Sequence, residues 1–121
     1  MIKRGNVLKE KSFSFALQII KLYKYLANEK KEYIIAKQVL RSGISVGAMI
    51  EEANQAESKA DFIHKLSIAN KEANETHYWL RLLKESEYIS DKHFQNLIID
   101  NEELMKLLTS SIKTSKKNLA N

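Results

Sequence analysis

Apolar residues recur at intervals of three and four through nearly the whole chain, and polar stretches interrupt that rhythm at three places. The first run predicts a helix from about Ser12 to Asn28, with Phe15, Ala16, Ile19, Tyr23 and Leu26 on one stripe. A polar break, Asn28 to Glu32, separates it from a second predicted helix over about 33–55. Ile35, Val39, Ser42, Val46, Met49 and Ala53 share one face of that helix. A third helix is expected over about 59–85, with Phe62, Leu66, Ala69, Ala73, Thr76, Leu80 and Leu83 in its stripe. The fourth, about 91–115, carries Phe94, Leu97, Ile98, Met105, Leu108 and Ile112. Asn101 falls inside this last stripe, where a buried polar residue can fix helix register. The polar tail after Ser115 is expected to fray.

The breaks contain their own start signals. Ser58-Lys-Ala-Asp61 reads as an N-cap with an acidic residue three positions on, and Ser90-Asp91 can cap the fourth helix. Short connections make consecutive helices antiparallel neighbours, so the expected fold is all-α: an up-down-up-down four-helix bundle forming a single domain over 1–121. Proline is absent and glycine occurs three times, which suits long uninterrupted helices. Gly43 and Gly47 lie four apart inside the second helix, where a neighbouring backbone is expected to come close.

One stripe per helix suffices for a monomeric bundle. Phe13, Leu17 and Ile20 fall away from the first helix's stripe, and Ile68, Trp79 and Leu82 form a flank on the third. Surplus stripes of this kind mark a partner surface. They lie on different helices, so a self-contact between them is heterologous and closes into a ring when the rotation allows. Glu51 and Glu52 are candidates for the same interface, set against a basic first helix of another copy.

Charge is segregated. Residues 1–41 hold ten Lys/Arg against three Glu, residues 42–61 have a net charge of −3, and the remainder sums to +1. A basic first third can attract a polyanion such as RNA, although charge runs also simply solvate a helical surface. The candidate phosphate contacts are Lys21, Lys24, Lys37 and Arg41, which project away from the core stripes of two neighbouring helices. Lys3, Arg4, Lys9, Lys11 and the tail lysines Lys113, Lys116 and Lys117 can add to them. No helix-turn-helix, RNP-aromatic or GXXG pattern supports base reading.

The chemistry of catalysis finds little to stand on. Cysteine is absent, which removes thiolate ligands and thiol nucleophiles and fits a cytoplasmic protein. A di-iron bundle needs two Glu-x-x-His pairs, and this chain offers only Asp61-x-x-His64. No strained nucleophile turn and no phosphate-binding glycine loop is present. Glu52, at the edge of an apolar stripe, lacks the partner and cleft of a general acid. No stretch approaches the length of a membrane-spanning helix. No enzyme activity, cofactor, metal, membrane association or small-molecule substrate is therefore expected.

Particular words in the chain are also informative. They are Lys11-Ser12-Phe13, Leu22-Tyr23-Lys24-Tyr25-Leu26, Leu40-Arg41-Ser42-Gly43, Ser45-Val46-Gly47-Ala48, Ile50-Glu51-Glu52-Ala53, Ser58-Lys59-Ala60-Asp61-Phe62 and Tyr78-Trp79-Leu80. With them the chain, from about Val7 to Ser115, resembles the four-helix-bundle family encoded within intervening sequences of bacterial 23S rRNA genes, often labelled ribosomal-protein-like. The resemblance implies a homo-oligomer, a five-fold ring (pentamer) among the known arrangements, and a binding or scaffolding role. A related branch, the accessory proteins of diversity-generating retroelements, binds a reverse transcriptase and nucleic acid. The chain departs from the family at Met49, where Asn is usual, and at Ala56 and Asn74, where Arg is common. The expected function is a non-enzymatic, oligomeric bundle that binds structured RNA or a ribonucleoprotein through its basic surface; the alternative is a protein adaptor such as a reverse-transcriptase accessory subunit.

Overall fold

The computed structural model describes residues 4–120. Four helices follow one another: α1 (Arg4–Asn28), α2 (Ile34–Asn54), α3 (Lys59–Glu85) and α4 (Asp91–Ala120). Each packs on the next, and α1 closes the bundle against α4, while α1–α3 and α2–α4 do not meet. This is the expected up-down-up-down bundle.

One series of buried positions on each helix explains the packing, with Ser42, Ile63 and Ile98 buried beside these series. The series are Leu8, Ser12, Phe15, Ile19, Leu22 and Leu26 on α1, and Ala36, Val39, Gly43, Val46, Ile50 and Ala53 on α2. Leu66, Ala69, Ala73, Thr76, Leu80 and Leu83 continue the set on α3, and Phe94, Leu97, Asn101, Leu104, Leu108 and Ser111 on α4. Every set alternates steps of three and four. That is the spacing of knobs-into-holes packing between helices crossing at roughly 20°.

The expected stripes differ from these sets in phase. Leu22, Ala36, Ile50 and Leu104 are buried, while Tyr23, Ile35, Met49, Phe62, Met105 and Ile112 are half-buried at the edges of the core. α1 also begins well before Ser12, because Leu8 continues its heptad and the Ser12 hydroxyl donates inward to the Lys9 carbonyl (3.2 Å) instead of capping. At the other end, α4 stays helical to Ala120, past Ser115 where fraying was expected. Ser111 is buried and Ile112 packs against the core, so the last turns extend from an anchored helix.

The caps form as the sequence indicates. The Ser58 hydroxyl accepts from the Asp61 amide (3.0 Å), and Ser90 accepts from His93 (3.1 Å). α2 starts differently: the Glu32 carboxylate accepts from the Ala36 amide at 2.9 Å. α3 ends with Glu87 in the left-handed region (φ 64°), and the Tyr88 amide returns to the Leu83 carbonyl at 2.9 Å. This is the hydrogen-bond pattern of a Schellman stop, with glutamate where glycine is usual.

Near the bundle middle the core turns small and polar. A Cβ at Gly43 would lie 2.8 Å from both Ile19 γ-carbons, and one at Gly47 would lie 3.5 Å from the Ser12 carbonyl oxygen, so α1 lies close against α2 at both glycines. The Ser42 and Thr76 hydroxyls hydrogen-bond at 2.8 Å, joining α2 to α3. Asn101 of α4 donates to the Ala73 carbonyl of α3 at 3.0 Å, fully buried.

Candidate nucleic-acid interface

The four lysine and arginine candidates separate into two kinds. Lys21 and Lys24 on α1 and Lys37 on α2 are exposed and make no ion pair among the described residues. Arg41 is committed elsewhere. Its guanidinium faces Glu72 at 3.3 Å, pairs with Glu75 and reaches Gln38 at 3.4 Å. It therefore ties α2 to α3 directly above the Ser42–Thr76 bond, and its charge is more than matched by two carboxylates. Periodicity placed Arg41 on the right helix face but could not show which acidic residues of α3 stand opposite.

The supplementary candidates divide the same way. Lys9 faces Glu51 at 3.7 Å, and Lys11 holds Glu103 of α4 at 2.8 Å. The hydrogen bond and charge of Glu103 push the Lys11 ammonium above its ordinary pKa, so it stays protonated and occupied. Lys3 lies outside the described residues, as does the Arg4 side chain. Lys113, Lys116 and Lys117 are exposed on the last turns of α4.

The candidate interface residues also fall into groups. Phe13, Leu17 and Ile20 are 65%, 49% and 37% exposed, and Ile44 of α2, 39% exposed, lies on the same side. A groove of about 500 Å³ runs along this stripe, lined by Lys9, Glu10, Phe13, Ser14, Leu17 and Glu51. Glu52 is bound to Lys65 of α3 at 2.9 Å, and that hydrogen bond raises the Lys65 pKa. Ile68, Trp79 and Leu82 are half-buried, with Trp79 packed against the core and edge-on to Tyr78 at 5.0 Å. The apolar surface is thus concentrated on the α1–α2 side rather than shared equally with α3.

No group of three or more potential metal ligands occurs among the described residues. No helix among them is long and apolar enough to cross a membrane. His93 is half-buried against Tyr25 (ring centroids 5.7 Å), and burial lowers its pKa. Sequence reasoning passed over one cationic set, Lys71, Arg81 and Lys106 on α3 and α4, all exposed and without an ion pair among the described residues. The net charge of the last sixty residues hid them by averaging; the exposed 71-74-78-81 spacing on α3 and 106-109-113 spacing on α4 would have found them.

Residues 5–110 match the family described as 23S rRNA-intervening sequence protein. The chain belongs to that family. A crystal structure from Bacteroides thetaiotaomicron, described as a protein of unknown function from the S23 ribosomal protein family, is 55% identical with a TM-score of 0.90. The similarity covers 92% of this chain and 99% of that one. No curated protein matches the chain. The matched span holds the buried positions from Leu8 of α1 to Leu108 of α4.

Proposed function

We propose that this family member is a non-enzymatic, self-associating bundle that binds structured RNA, or RNA within a ribonucleoprotein, through lysines on its surface. The observation that carries the reading is the α1–α2 side. There an apolar stripe, Phe13, Leu17 and Ile20, stands exposed and runs into Lys21, Lys24 and Lys37, which make no ion pair among the described residues. The family's description as an rRNA-intervening sequence protein supports RNA as the polyanion. Unpaired lysines attract phosphates without reading bases, and binding of this kind weakens steeply as salt releases the counterion advantage.

The apolar stripe supports self-association. A contiguous exposed apolar patch at helical spacing is the usual mark of a protein interface. Glu10 and the Lys9–Glu51 pair (3.7 Å) border its lower end and Lys24 and Lys37 its upper end, so a head-to-tail contact sets Glu10 toward unpaired lysines of the next copy, and such a contact closes into a ring when the rotation allows.

Two measurements test the reading. Light scattering should give a multimer mass at micromolar concentration, and Leu17→Glu, at an exposed position, should return the monomer with an unchanged helical spectrum. Anisotropy with a labelled RNA hairpin should show binding that falls with salt. A monomeric wild type, or salt-independent binding, contradicts the corresponding half of the proposal.

A further inference from the structure

Self-association and phosphate binding compete for the α1–α2 side. Phe13, Leu17, Ile20 and Lys24 recur along α1 at steps of four, three and four, so one copy seated on the stripe reaches Lys24. The side that stays open is the opposite one. Because α1 meets α2 and α4 but not α3, the α3–α4 side is across the bundle from the stripe.

That side is cationic. On α3, Lys71, Asn74, Tyr78 and Arg81 recur at steps of three and four and all are exposed. On α4, Lys106, Thr109 and Lys113 do the same, bordering a shallow groove with Met105 and Ser110. The two rows flank one seam, crossed by the His77–Glu102 pair at 3.1 Å and the Asn101–Ala73 bond at 3.0 Å. The Asn101–Ala73 register sets Lys106 near the level of Lys71 and Lys113 near the start of α3. Arg81 to Lys113 then spans roughly 30 Å at 1.5 Å per residue. None of these four cations has an ion pair among the described residues. The carboxylates at the border, Glu85 and Glu102, already face Lys84 (3.9 Å) and His77 (3.1 Å). The Arg81 guanidinium sits 5.9 Å from the centre of the exposed Tyr78 ring.

We propose that the α3–α4 side is a phosphate-backbone surface for RNA, with Lys71, Arg81, Lys106 and Lys113 as its contacts and Tyr78 as a platform for one unpaired base. It rests on the RNA-binding reading above and adds a face that remains open when the apolar stripe is covered. Four separated cations along a rod suit a strand tracked by its phosphates, and an exposed tyrosine beside arginine suits a splayed base. Nothing in this arrangement reads sequence.

The test compares two neutralised proteins with the wild type, using a fluorescein-labelled RNA hairpin with a single-stranded tail. The variant K71Q/R81Q/K106Q/K113Q should bind on the order of a hundredfold more weakly at low salt, and its log–log salt slope should fall by about 3. Tyr78→Ala should weaken binding on the order of tenfold with the slope unchanged. All substituted positions are exposed, and the mass in solution should stay that of the wild type. Wild-type affinity and slope in the quadruple variant, with both lost in K21Q/K24Q/K37Q, overturns this proposal and leaves the RNA reading standing. A wild type that does not bind the hairpin overturns both.

Discussion

Alanine at Gly43 and alanine at Gly47 should change stability in opposite directions, although the two glycines are one helical turn apart on α2. Both substitutions gain about 1 kcal/mol of helix propensity. At Gly43 the new Cβ meets both Ile19 γ-carbons at 2.8 Å and the Ile19 Cβ at 3.2 Å. Ile19 is fully buried, and a β-branched side chain in a helix holds essentially one rotamer, so it cannot turn aside. Overpacking of this kind costs about 1–3 kcal/mol. The net is a loss of about 1 kcal/mol. At Gly47 the nearest atom is the Ser12 carbonyl oxygen at 3.5 Å, an ordinary contact, so most of the propensity gain survives. Urea unfolding at fixed protein concentration should therefore show the two midpoints on either side of the wild type, with equal m-values. In thermal melts the two variants should differ by several degrees, on a scale of about 3–6 °C per kcal/mol. Equal stabilisation by both alanines would refute the close approach of α1 to α2 at Gly43.

Three further substitutions probe the helix ends and the half-buried His93. Ser58→Ala removes the acceptor of the Asp61 amide and should cost about 1 kcal/mol in chemical unfolding; an unchanged midpoint would count against the cap. Glu87→Gly relieves a left-handed backbone and should raise the unfolding free energy by about 0.5–1 kcal/mol, whereas a loss would mean that the Glu87 side chain matters more than its φ. Burial depresses the His93 pKa, so below about pH 6.5 the unfolded chain takes up its proton first. The stability contribution is complete above that pH and is lost as pH falls through the folded value. His93→Gln should flatten this part of the pH–stability curve, and superimposable curves would exclude the effect.

The heptad of α3 was readable from Leu66 to Leu83, where Ala69, Ala73 and Thr76 keep the spacing although they are small. In α4 the phase was lost beyond Asn101, and Met105 and Ile112 took the places of Leu104 and Ser111. α1 and α2 were harder for a physical reason. Their closest contacts use Ser12, Gly43 and Gly47, which no hydrophobicity pattern counts as core. Ser12 therefore looked like a helix start, and Met49 took the place that belongs to Ile50. The charged candidates were legible as exposed positions and not as free charges. Whether Arg41 is available depends on Glu72 and Glu75, some thirty residues away in sequence, and that pairing exists only once the α2–α3 register is set.

Register is thus the link between core and surface. Asn101 donates to the Ala73 carbonyl at 3.0 Å and to the Met105 sulfur at 3.6 Å, while its own buried carbonyl oxygen has no hydrogen-bond partner among the described residues. An unsatisfied buried acceptor costs about 1–3 kcal/mol, so a leucine there could be as stable or more so. What the asparagine gains is discrimination. A slip of α4 by one heptad would set it against a different turn of α3, with leucine at 66 or 80 crowding the space that Ala73 leaves open. The same register sets Lys106 near the level of Lys71 and puts Glu102 beside His77. A small polar layer in the core thereby fixes which cations on α3 and α4 stand together and which are neutralised.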